Sequence, residues 1–229
     1  MGNYVIAIDG PAGVGKSTLA RKLASALGFR YVDTGAMYRA VAWWLLQQGI
    51  DLTDEVSVDR FLPKIRLEIT GDNEKGTQIR IGGQDVGPWI RTEEVADAAS
   101  TIGAFPQARA HLVALYRQEG NYGNVVMEGR DIGTVAFPGA HLKLFITASE
   151  EVRRQRRYTE QRQKEQTVDP DNIEQILRKR DRRDQERKHA PLKPSEDAVI
   201  IDTTDMNIEE VFTKALLLAR QAICSLPEV

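Results

Sequence analysis

Short apolar runs and segments of helical periodicity alternate along most of the chain. Between Lys16 and Leu27 a leucine recurs every four residues, which marks one face of a helix, and Gly28 is a typical helix end. Further helices are predicted over residues 36–48 and 208–222. The apolar runs NYVIAI, FRYVD, NVVME, HLKLFIT and AVIID are predicted to be strands, the last of them an edge strand. Strands that alternate with helices predict an α/β fold with a parallel sheet covered on both faces.

One region breaks this alternation. Residues 65–86 alternate apolar and polar side chains at period two, and glycines at 71, 76, 82 and 83 mark turns. We predict a small antiparallel meander here, flanked by short helices over residues 55–62 and 93–102. This gives an inserted subdomain over about residues 63–102. The polar stretch QRQKEQTVDPDN is predicted to be a mobile connection between two Arg-rich helices.

Composition and charge narrow the class of protein. The 229 residues suffice for one domain with an insertion, and 31 Lys plus Arg nearly balance 33 Asp plus Glu. Cys224 is the single cysteine, which excludes an internal disulfide. No apolar run approaches the roughly 20 residues of a membrane-spanning helix, and the N-terminus carries no secretory pattern. We therefore expect a cytoplasmic monomer that binds neither nucleic acid nor membranes.

Residues 10–18, GPAGVGKST, directly follow the first predicted strand and open the first predicted helix. They match the phosphate-loop pattern G-x-x-x-x-G-K-[ST], whose glycines let backbone N–H groups point at phosphate oxygens. In this pattern Lys16 reaches the β- and γ-phosphates, and the Ser17 hydroxyl can ligate Mg²⁺. The predicted nucleotide-binding residues are Gly10, Pro11, Ala12, Gly13, Val14, Gly15, Lys16, Ser17 and Thr18.

The motifs of other large classes of nucleotide-binding protein do not occur in the sequence. A GTPase carries D-x-x-G and N-K-x-D, an ABC-type ATPase carries an L-S-G-G-Q-like signature, and a motor protein carries an apolar strand that ends in Asp-Glu. None of these patterns is present, although AVIID ends in Asp202. A small-molecule kinase remains.

Two further strand ends carry residues that suit an anionic acceptor. The turn DTGAMYR places Thr34 at a predicted helix N-cap and Arg39 about one helical turn later, where a guanidinium can hold a phosphate through two hydrogen bonds. The turn EGRDIGT brings Arg130 and Asp131 to the end of another strand. Each turn alone is also compatible with a simple cap or a surface ion pair. Because ligands bind at the carboxyl ends of parallel strands, the two turns are predicted to converge with the phosphate loop.

The stretches IDGPAGVGKST, DTGAMYR, IRTEEVADAAS, EGRDIGTVAFPGA and RKRDRRDQERKHAPL, in this order, resemble the bacterial cytidylate kinase family over nearly the whole chain. The resemblance implies an adenylate-kinase-like P-loop fold and transfer of the γ-phosphoryl group of ATP, with Mg²⁺, to CMP and dCMP. It also implies one kinase domain, with a monophosphate-binding region over residues 34–103 that includes the inserted subdomain. An Arg-rich lid would span residues 149–187.

The resemblance further implies residue roles. Thr34, Arg39 and Arg130 would hold the acceptor phosphate, Ser100, Arg109 and Asp131 would recognise cytosine, and Arg180, Asp184 and Arg187 would reach the sugar and phosphates. These residue types suit cytosine, because a carboxylate can accept a hydrogen bond from its amino group but would repel the carbonyl of uracil. A buried polar group left unpaired can discriminate by about 10⁴. No general base is required, since the acceptor phosphate is ionised at neutral pH.

Arginines are concentrated in the stretches EEVRRQRRYTEQRQ and RKRDRRDQERK. One interpretation is two solvated helices with i,i+4 ion pairs, supported by interleaved acids such as Asp181. A second is a nucleic-acid patch, which the acids and the shortage of aromatic residues disfavour. The third, which we favour, is a lid that brings arginines to the transferring phosphoryl group, and Arg153 and Arg157 share a helix face that suits a clamp. The predicted catalytic residues are Lys16, Arg153, Arg157 and Arg180.

Two other functions remain compatible with the sequence. One is a different small-molecule kinase on the same scaffold, such as a shikimate or uridylate kinase. The other is a nucleotide-dependent RNA-binding protein without catalysis, which would retain RNA in a salt-dependent way and show no acceptor-stimulated use of ATP.

Overall fold

The computed structural model describes residues 3–70, 77–163 and 170–224 and confirms the predicted α/β architecture. Its strands are β1 (Val5–Asp9), β2 (Arg30–Asp33), β3 (Leu67–Thr70), β4 (Gln78–Ile81), β5 (Gln84–Asp85), β6 (Val125–Gly129), β7 (Leu142–Thr147) and β8 (Val199–Asp202). Five of them form a parallel sheet in the order β2-β6-β1-β7-β8. All five predicted apolar runs are strands of this sheet, and β8 lies at its edge as expected.

The helices largely follow the predicted periodicity. They are α1 (Lys16–Leu27), α2 (Thr34–Gln47), α3 (Glu55–Phe61), α4 (Glu93–Ile102), α5 (Pro106–Gly120), α6 (Glu150–Gln163), α7 (Pro170–Glu186) and α8 (Ile208–Cys224). α1 and α4 have the predicted bounds, whereas α2 begins two residues early. The sequence pattern does not reveal α5, because its buried stripe includes Ala108, Arg109 and Gly120, and these residues weaken the apolar periodicity.

Side chains of the central strand β1 alternate between two hydrophobic clusters, one on each face of the sheet. Val5 and Ala7 belong to the cluster that includes residues of α2, α4 and α5, whereas Ile6 and Ile8 belong to the cluster with α1 and α8. The alternation follows from strand geometry, in which successive side chains point to opposite faces. Burial of each isoleucine contributes roughly 1.5–3 kcal/mol. Because both faces are covered, polar side chains collect at the ends of the strands.

The inserted region is a three-stranded antiparallel sheet in the order β3-β4-β5, as predicted. The glycine pair at 82–83 joins β4 to β5 with φ angles of 57° and 80°. These values lie in the left-handed region, which glycine adopts without strain. The turn signals predicted at residues 71–76 lie outside the described residues.

Among the contacts that attach the inserted region to the rest of the domain, one reaches β2 of the main sheet and another reaches α2. The Thr77 hydroxyl donates a hydrogen bond to the Tyr31 carbonyl oxygen at 3.0 Å and accepts one from the Asp33 N–H at 3.1 Å. Trp89 stacks on Trp43 of α2, with ring centroids 5.6 Å apart and an interplanar angle of 14°. The inserted region is therefore held against the strand that leads into the DTGAMYR turn.

The two Arg-rich segments form α6 and α7, as predicted, and an ion pair between Arg153 and Asp181 joins them. The middle of the predicted connection QRQKEQTVDPDN, residues 164–169, lies outside the described residues, whereas its two ends belong to α6 and α7. Within the described ranges, no helix has both the length and the apolar character needed to cross a membrane.

Candidate active site

The phosphate loop leaves β1 at Asp9 and enters α1 at Lys16, which is the strand–loop–helix context that the motif requires. Gly10 has a φ of 146°, and a Cβ there would lie 2.1 Å from the Ile146 carbonyl oxygen of β7. Gly15, the N-cap of α1, has a φ of 90°. Glycine alone adopts these conformations readily, so the loop can approach β7 and turn into α1. The free N–H groups at the start of that helix favour an anion.

Lys16 is buried, and its ammonium group donates a hydrogen bond to the Pro11 carbonyl oxygen at 2.6 Å. Burial and the positive charge of Arg130 lower the pKa of Lys16 to about 7, while Glu128 and Asp9 act in the opposite direction. A phosphate group beside the ammonium would favour the charged form. An anionic ligand beside Lys16 would therefore stabilise the charged form of its ammonium group.

Glu128 is a carboxylate of this site that the sequence patterns do not reveal. It lies in β6, next to β1, is buried, and accepts a hydrogen bond from the Tyr31 hydroxyl at 2.5 Å. Burial and the charge of Asp33 raise the pKa of Glu128, whereas Lys16 and a hydrogen bond from Ser17 lower it. The search for a strand ending in Asp-Glu misses it because Met127, and not an aspartate, precedes it. Only the sheet order, which places β6 beside β1, singles it out.

Thr34 does not cap α2, contrary to the prediction. Asp33 is the N-cap, because its backbone is extended and its carboxylate accepts a hydrogen bond from the Ala36 N–H at 2.8 Å. Thr34 is the first residue of the helix, and its hydroxyl donates to the Glu128 carbonyl oxygen at 2.7 Å. Arg39, one turn further on, forms an ion pair with Asp33 at 3.0 Å. Asp33 therefore both caps α2 and holds the guanidinium of Arg39, which is predicted to bind phosphate.

Arg109 and Asp131 form an ion pair in which both side chains are buried. Arg109 also donates a hydrogen bond to the Gly103 carbonyl oxygen at 3.1 Å. Arg187 lies 3.7 Å from the other carboxylate oxygen of Asp131. Removing one partner of a buried ion pair leaves an uncompensated charge, so this cluster holds its members in a defined arrangement.

A cavity of about 730 Å³ is lined by residues of both the predicted donor side and the predicted acceptor side. Residues 12–18 of the phosphate loop line it. The predicted acceptor residues that line it are Thr34, Arg39, Ser100, Arg109, Arg130, Asp131, Arg180, Asp184 and Arg187, all nine of those expected. The two predicted anion-binding groups therefore share one cavity at the carboxyl ends of the strands.

The predicted lid arginines separate into two kinds. Arg157 and Arg180 line the cavity. Arg153 is not among the described residues of the cavity wall, since it is buried and paired with Asp181. The geometry therefore favours a supporting role for Arg153 over direct contact with a ligand. Arg156, which the sequence analysis does not single out, lines the cavity instead.

Three of the predicted acceptor residues carry a buried polar atom that has no hydrogen-bond partner within the described parts of the chain. These atoms are Ser100 Oγ, Arg180 Nε and Arg187 Nη2. A buried polar group without a partner costs about 1–3 kcal/mol. Since all three side chains line the cavity, the atoms indicate contacts that a ligand would complete.

α4 joins the inserted region to both Arg-rich helices. Glu93 forms an ion pair with Arg157 of α6, and Asp97 pairs with Lys179 at 3.2 Å and with Arg183 at 3.0 Å, both on α7. One turn further along α4, Ser100 lines the cavity. The same helix therefore contacts α6 and α7 and contributes Ser100 to the cavity wall.

The phosphate loop and a second, Arg-rich set of side chains in one cavity define the class of the protein as a P-loop kinase. Among solved structures, the chain is similar to a gluconokinase from Sinorhizobium meliloti 1021, with a TM-score of 0.50 and 16% identity, covering 96% of this chain and 94% of that chain. An uncharacterized protein from Eubacterium ventriosum ATCC 27560 gives a TM-score of 0.54 at 12% identity, covering 96% and 99%. At these identities the likeness concerns the fold.

The sequence itself identifies the family. The family model for cytidylate kinase matches residues 6–221. A cytidylate kinase of Solibacter usitatus (strain Ellin6076) is 47% identical, over 96% of this chain and 93% of its own length. A cytidylate kinase of Desulfitobacterium hafniense (strain Y51) is 44% identical, over 94% and 92%. The chain belongs to the cytidylate kinase family.

Proposed function

We propose that the protein is a CMP kinase that transfers the γ-phosphoryl group of ATP to CMP or dCMP, giving ADP and CDP or dCDP. The observation that carries this assignment is the shared cavity, in which the phosphate loop and the buried Arg109–Asp131 pair are both part of the wall. One set of residues suits a donor triphosphate, and the other suits an acceptor that carries both an anion and a polar base.

The phosphate loop, residues 10–18, binds the phosphates of ATP through its backbone N–H groups and Lys16. The ammonium of Lys16 gains its full charge beside those phosphates. Arg157 and Arg180 neutralise charge on the transferring group. Burial and the charge of Arg130 lower the pKa of Arg180 to about 10, which shows that its positive charge is poorly compensated. A phosphate group beside Arg180 would supply the missing negative charge.

Mg²⁺ would be held by Ser17 and by Glu128, and the donor set fits it. Mg²⁺ prefers oxygen ligands, keeps several waters, and takes one or two carboxylates together with substrate phosphates. Glu128 is buried near the Ser17 hydroxyl and near the ammonium group of Lys16. A Mg²⁺ ion would add a further positive charge and so compensate the buried carboxylate. The ion would supply positive charge that neutralises the phosphates of ATP, with Ser17 and Glu128 as the residues that would hold it.

The acceptor side holds CMP in two parts. Thr34, Arg39 and Arg130 bind the acceptor phosphate, and Arg180, Asp184 and Arg187 reach the sugar and phosphates. Asp131 accepts from the amino group of cytosine while Arg109 serves its acceptor atoms, and Ser100 contributes its free hydroxyl. Uracil presents a carbonyl to the carboxylate of Asp131 and is rejected. The acceptor phosphate is already ionised, so the protein positions and stabilises charge and needs no general base.

Arg153 supports this machinery without touching the ligand. It pairs with Asp181 of α7 and donates a hydrogen bond to the Ala12 carbonyl oxygen of the phosphate loop at 3.3 Å. It thereby fixes the position of the loop relative to the Arg-rich helices.

The experiment that tests the assignment is an ADP-release assay over CMP, dCMP, UMP, AMP and shikimate. We expect CMP and dCMP to stimulate ADP release at least about a hundredfold over the other acceptors. The Lys16→Ala variant is the control for contaminating kinases, and its turnover should be nearly abolished. Preference for UMP or shikimate would assign the scaffold to another acceptor, and RNA retention without acceptor-stimulated ADP release would contradict a kinase.

A further inference from the structure

Asp9 is a buried carboxylate that the proposed mechanism does not use. It is the last residue of β1, directly precedes Gly10 of the phosphate loop, and is only 5% exposed. Both of its carboxylate oxygens accept hydrogen bonds from the backbone. Oδ1 accepts from the Ile132 N–H at 2.9 Å, and Oδ2 accepts from the Gly133 N–H at 2.7 Å.

The two N–H groups belong to the turn that carries acceptor residues. Ile132 begins a π-helical turn, Ile132–Ala136, immediately after Arg130 and Asp131. Asp131 is paired with Arg109, so the side chain of this turn faces the acceptor cluster while its backbone is held by Asp9. Asp9 is therefore covalently joined to the donor loop and hydrogen-bonded to the acceptor turn.

A carboxylate is required for this double contact. Its two oxygens can each accept an N–H, whereas an asparagine has one carbonyl oxygen and would present an N–H₂ donor to the second N–H. The ionised form of Asp9 is disfavoured by its surroundings. Burial and the charge of Asp131 raise its pKa to about 6, although the two backbone hydrogen bonds act to lower it. A charge buried at this cost, between two loops of one active site, points to a role in holding them together.

We propose that Asp9 is a positioning residue for phosphoryl transfer, which fixes the Arg130–Asp131 turn against the phosphate loop and so sets the separation of donor and acceptor. The inference rests on the proposed function. Displacement of a reacting group by about 1 Å can lower a rate by about 10²-fold, so loss of one of the two hydrogen bonds is enough to be measured. A role in fold stability alone would lower the melting temperature and leave the kinetic constants of the folded enzyme unchanged.

The test compares Asp9→Asn with the matched control Asp197→Asn. Asp197 is an exposed carboxylate that accepts a hydrogen bond from Lys143 at 2.7 Å. The side chain of Lys143 packs close to Gly133 of the turn, since a Cβ added to that glycine would lie 3.1 Å from the lysine Cδ. The control therefore perturbs the surroundings of the same turn without touching its hydrogen bonds to Asp9. The readouts are kcat, KM for CMP, the dissociation constant of ATP and the melting temperature.

We expect Asp9→Asn to lower kcat/KM for CMP by about tenfold or more, because the variant loses a hydrogen bond to a charged group. The dissociation constant of ATP should stay within about twofold of the wild-type value. Asp197→Asn should leave every kinetic value within about twofold. A smaller loss in Asp9→Asn, an equal weakening of ATP binding, or a comparable loss in the control would each overturn the proposal.

A second measurement needs no variant. In the wild-type protein without substrate, the Ile132 and Gly133 amides should resist hydrogen exchange, because Asp9 accepts from both. Free exchange of these amides would overturn the proposal even if Asp9→Asn failed to fold. If the wild-type enzyme did not use CMP, the proposed acceptor would be wrong. The same comparison would then be made with the acceptor that the panel identifies.

Discussion

Arg153 and Arg157 lie one turn apart on α6, yet they enter different environments. Arg153 is buried against Asp181 of α7, whereas Arg157 lines the cavity and pairs with Glu93 of α4. Although their helical spacing suggested a clamp made by both arginines, Arg153 is buried between helices and Arg157 lies at the cavity wall. The Arg153 guanidinium joins α6 to α7, whereas Arg157 lies in the cavity wall.

This separation predicts two distinct mutant phenotypes. Arg157→Met should lower kcat by about a hundredfold, since charge stabilisation of the transferring group is lost, with little change in melting temperature. Arg153→Met should lower the free energy of unfolding by about 3 kcal/mol, because the Asp181 carboxylate is left buried and unpaired. Steady-state kinetics and urea unfolding of both variants provide the measurement.

The control for both variants is Arg178→Met. Arg178 is 64% exposed on α7 and pairs with Glu150 and Glu174 at the surface, so its removal should change kcat less than about twofold and stability by less than about 1 kcal/mol. A fall in kcat for Arg178→Met as large as for Arg157→Met would mean that the general positive charge of the lid, and not Arg157 itself, supports transfer.

Asp131 should control the choice of base. Asp131→Asn keeps the shape of the side chain and gives it an N–H₂ group that can donate to the carbonyl of uracil. We expect the ratio of kcat/KM for CMP over UMP to fall by about a hundredfold. The dissociation constant of ATP serves as the internal control, because the phosphate loop is unchanged. An unaltered ratio would remove Asp131 from base recognition.

The sequence predicts those parts of the molecule that depend on local pattern. Every strand of the main sheet, the bounds of α1 and the phosphate loop follow from apolar runs, leucine spacing and glycine positions within about ten residues. The N-cap of α2 is a local feature that the pattern leaves ambiguous, because Asp33 and Thr34 are both good caps and only backbone geometry selects Asp33.

The missing parts depend on which segments become neighbours. Glu128 lies near Lys16 and Ser17 only because β6 pairs with β1. Asp9 reaches the EGRDIGT turn only because that turn folds back over the end of β1. Arg153 and Arg157 are equivalent on a helical wheel until α7 packs against α6. Tertiary packing, which one sequence does not display, decides these roles.

The carboxylate of Glu128 should control the affinity for Mg²⁺. Glu128→Gln keeps the acceptor oxygen for the Tyr31 hydroxyl and removes the charge. We expect the Mg²⁺ concentration for half-maximal activity to rise by about tenfold, with kcat at saturating Mg²⁺ recovering at least in part. Titration of activity with Mg²⁺ at fixed ATP measures this change. A variant with wild-type Mg²⁺ dependence would show that Glu128 supports the sheet edge through Tyr31 and not the ion.

The charge of Asp9 should lower stability as pH rises. Its pKa is raised in the folded state, from 3.8 to about 6, so its favourable contribution is complete below about pH 4 and is lost as pH rises through 6. Asp9→Asn does not titrate, so its free energy of unfolding relative to wild type should increase by about 2 kcal/mol between pH 4.5 and 7.5 in urea titrations. Asp197→Asn should show no such gain, because a hydrogen bond with Lys143 lowers the pKa of Asp197. A pH-independent difference for Asp9→Asn would mean that Asp9 has the same pKa in the folded and unfolded states, so that its hydrogen bonds compensate fully for its burial.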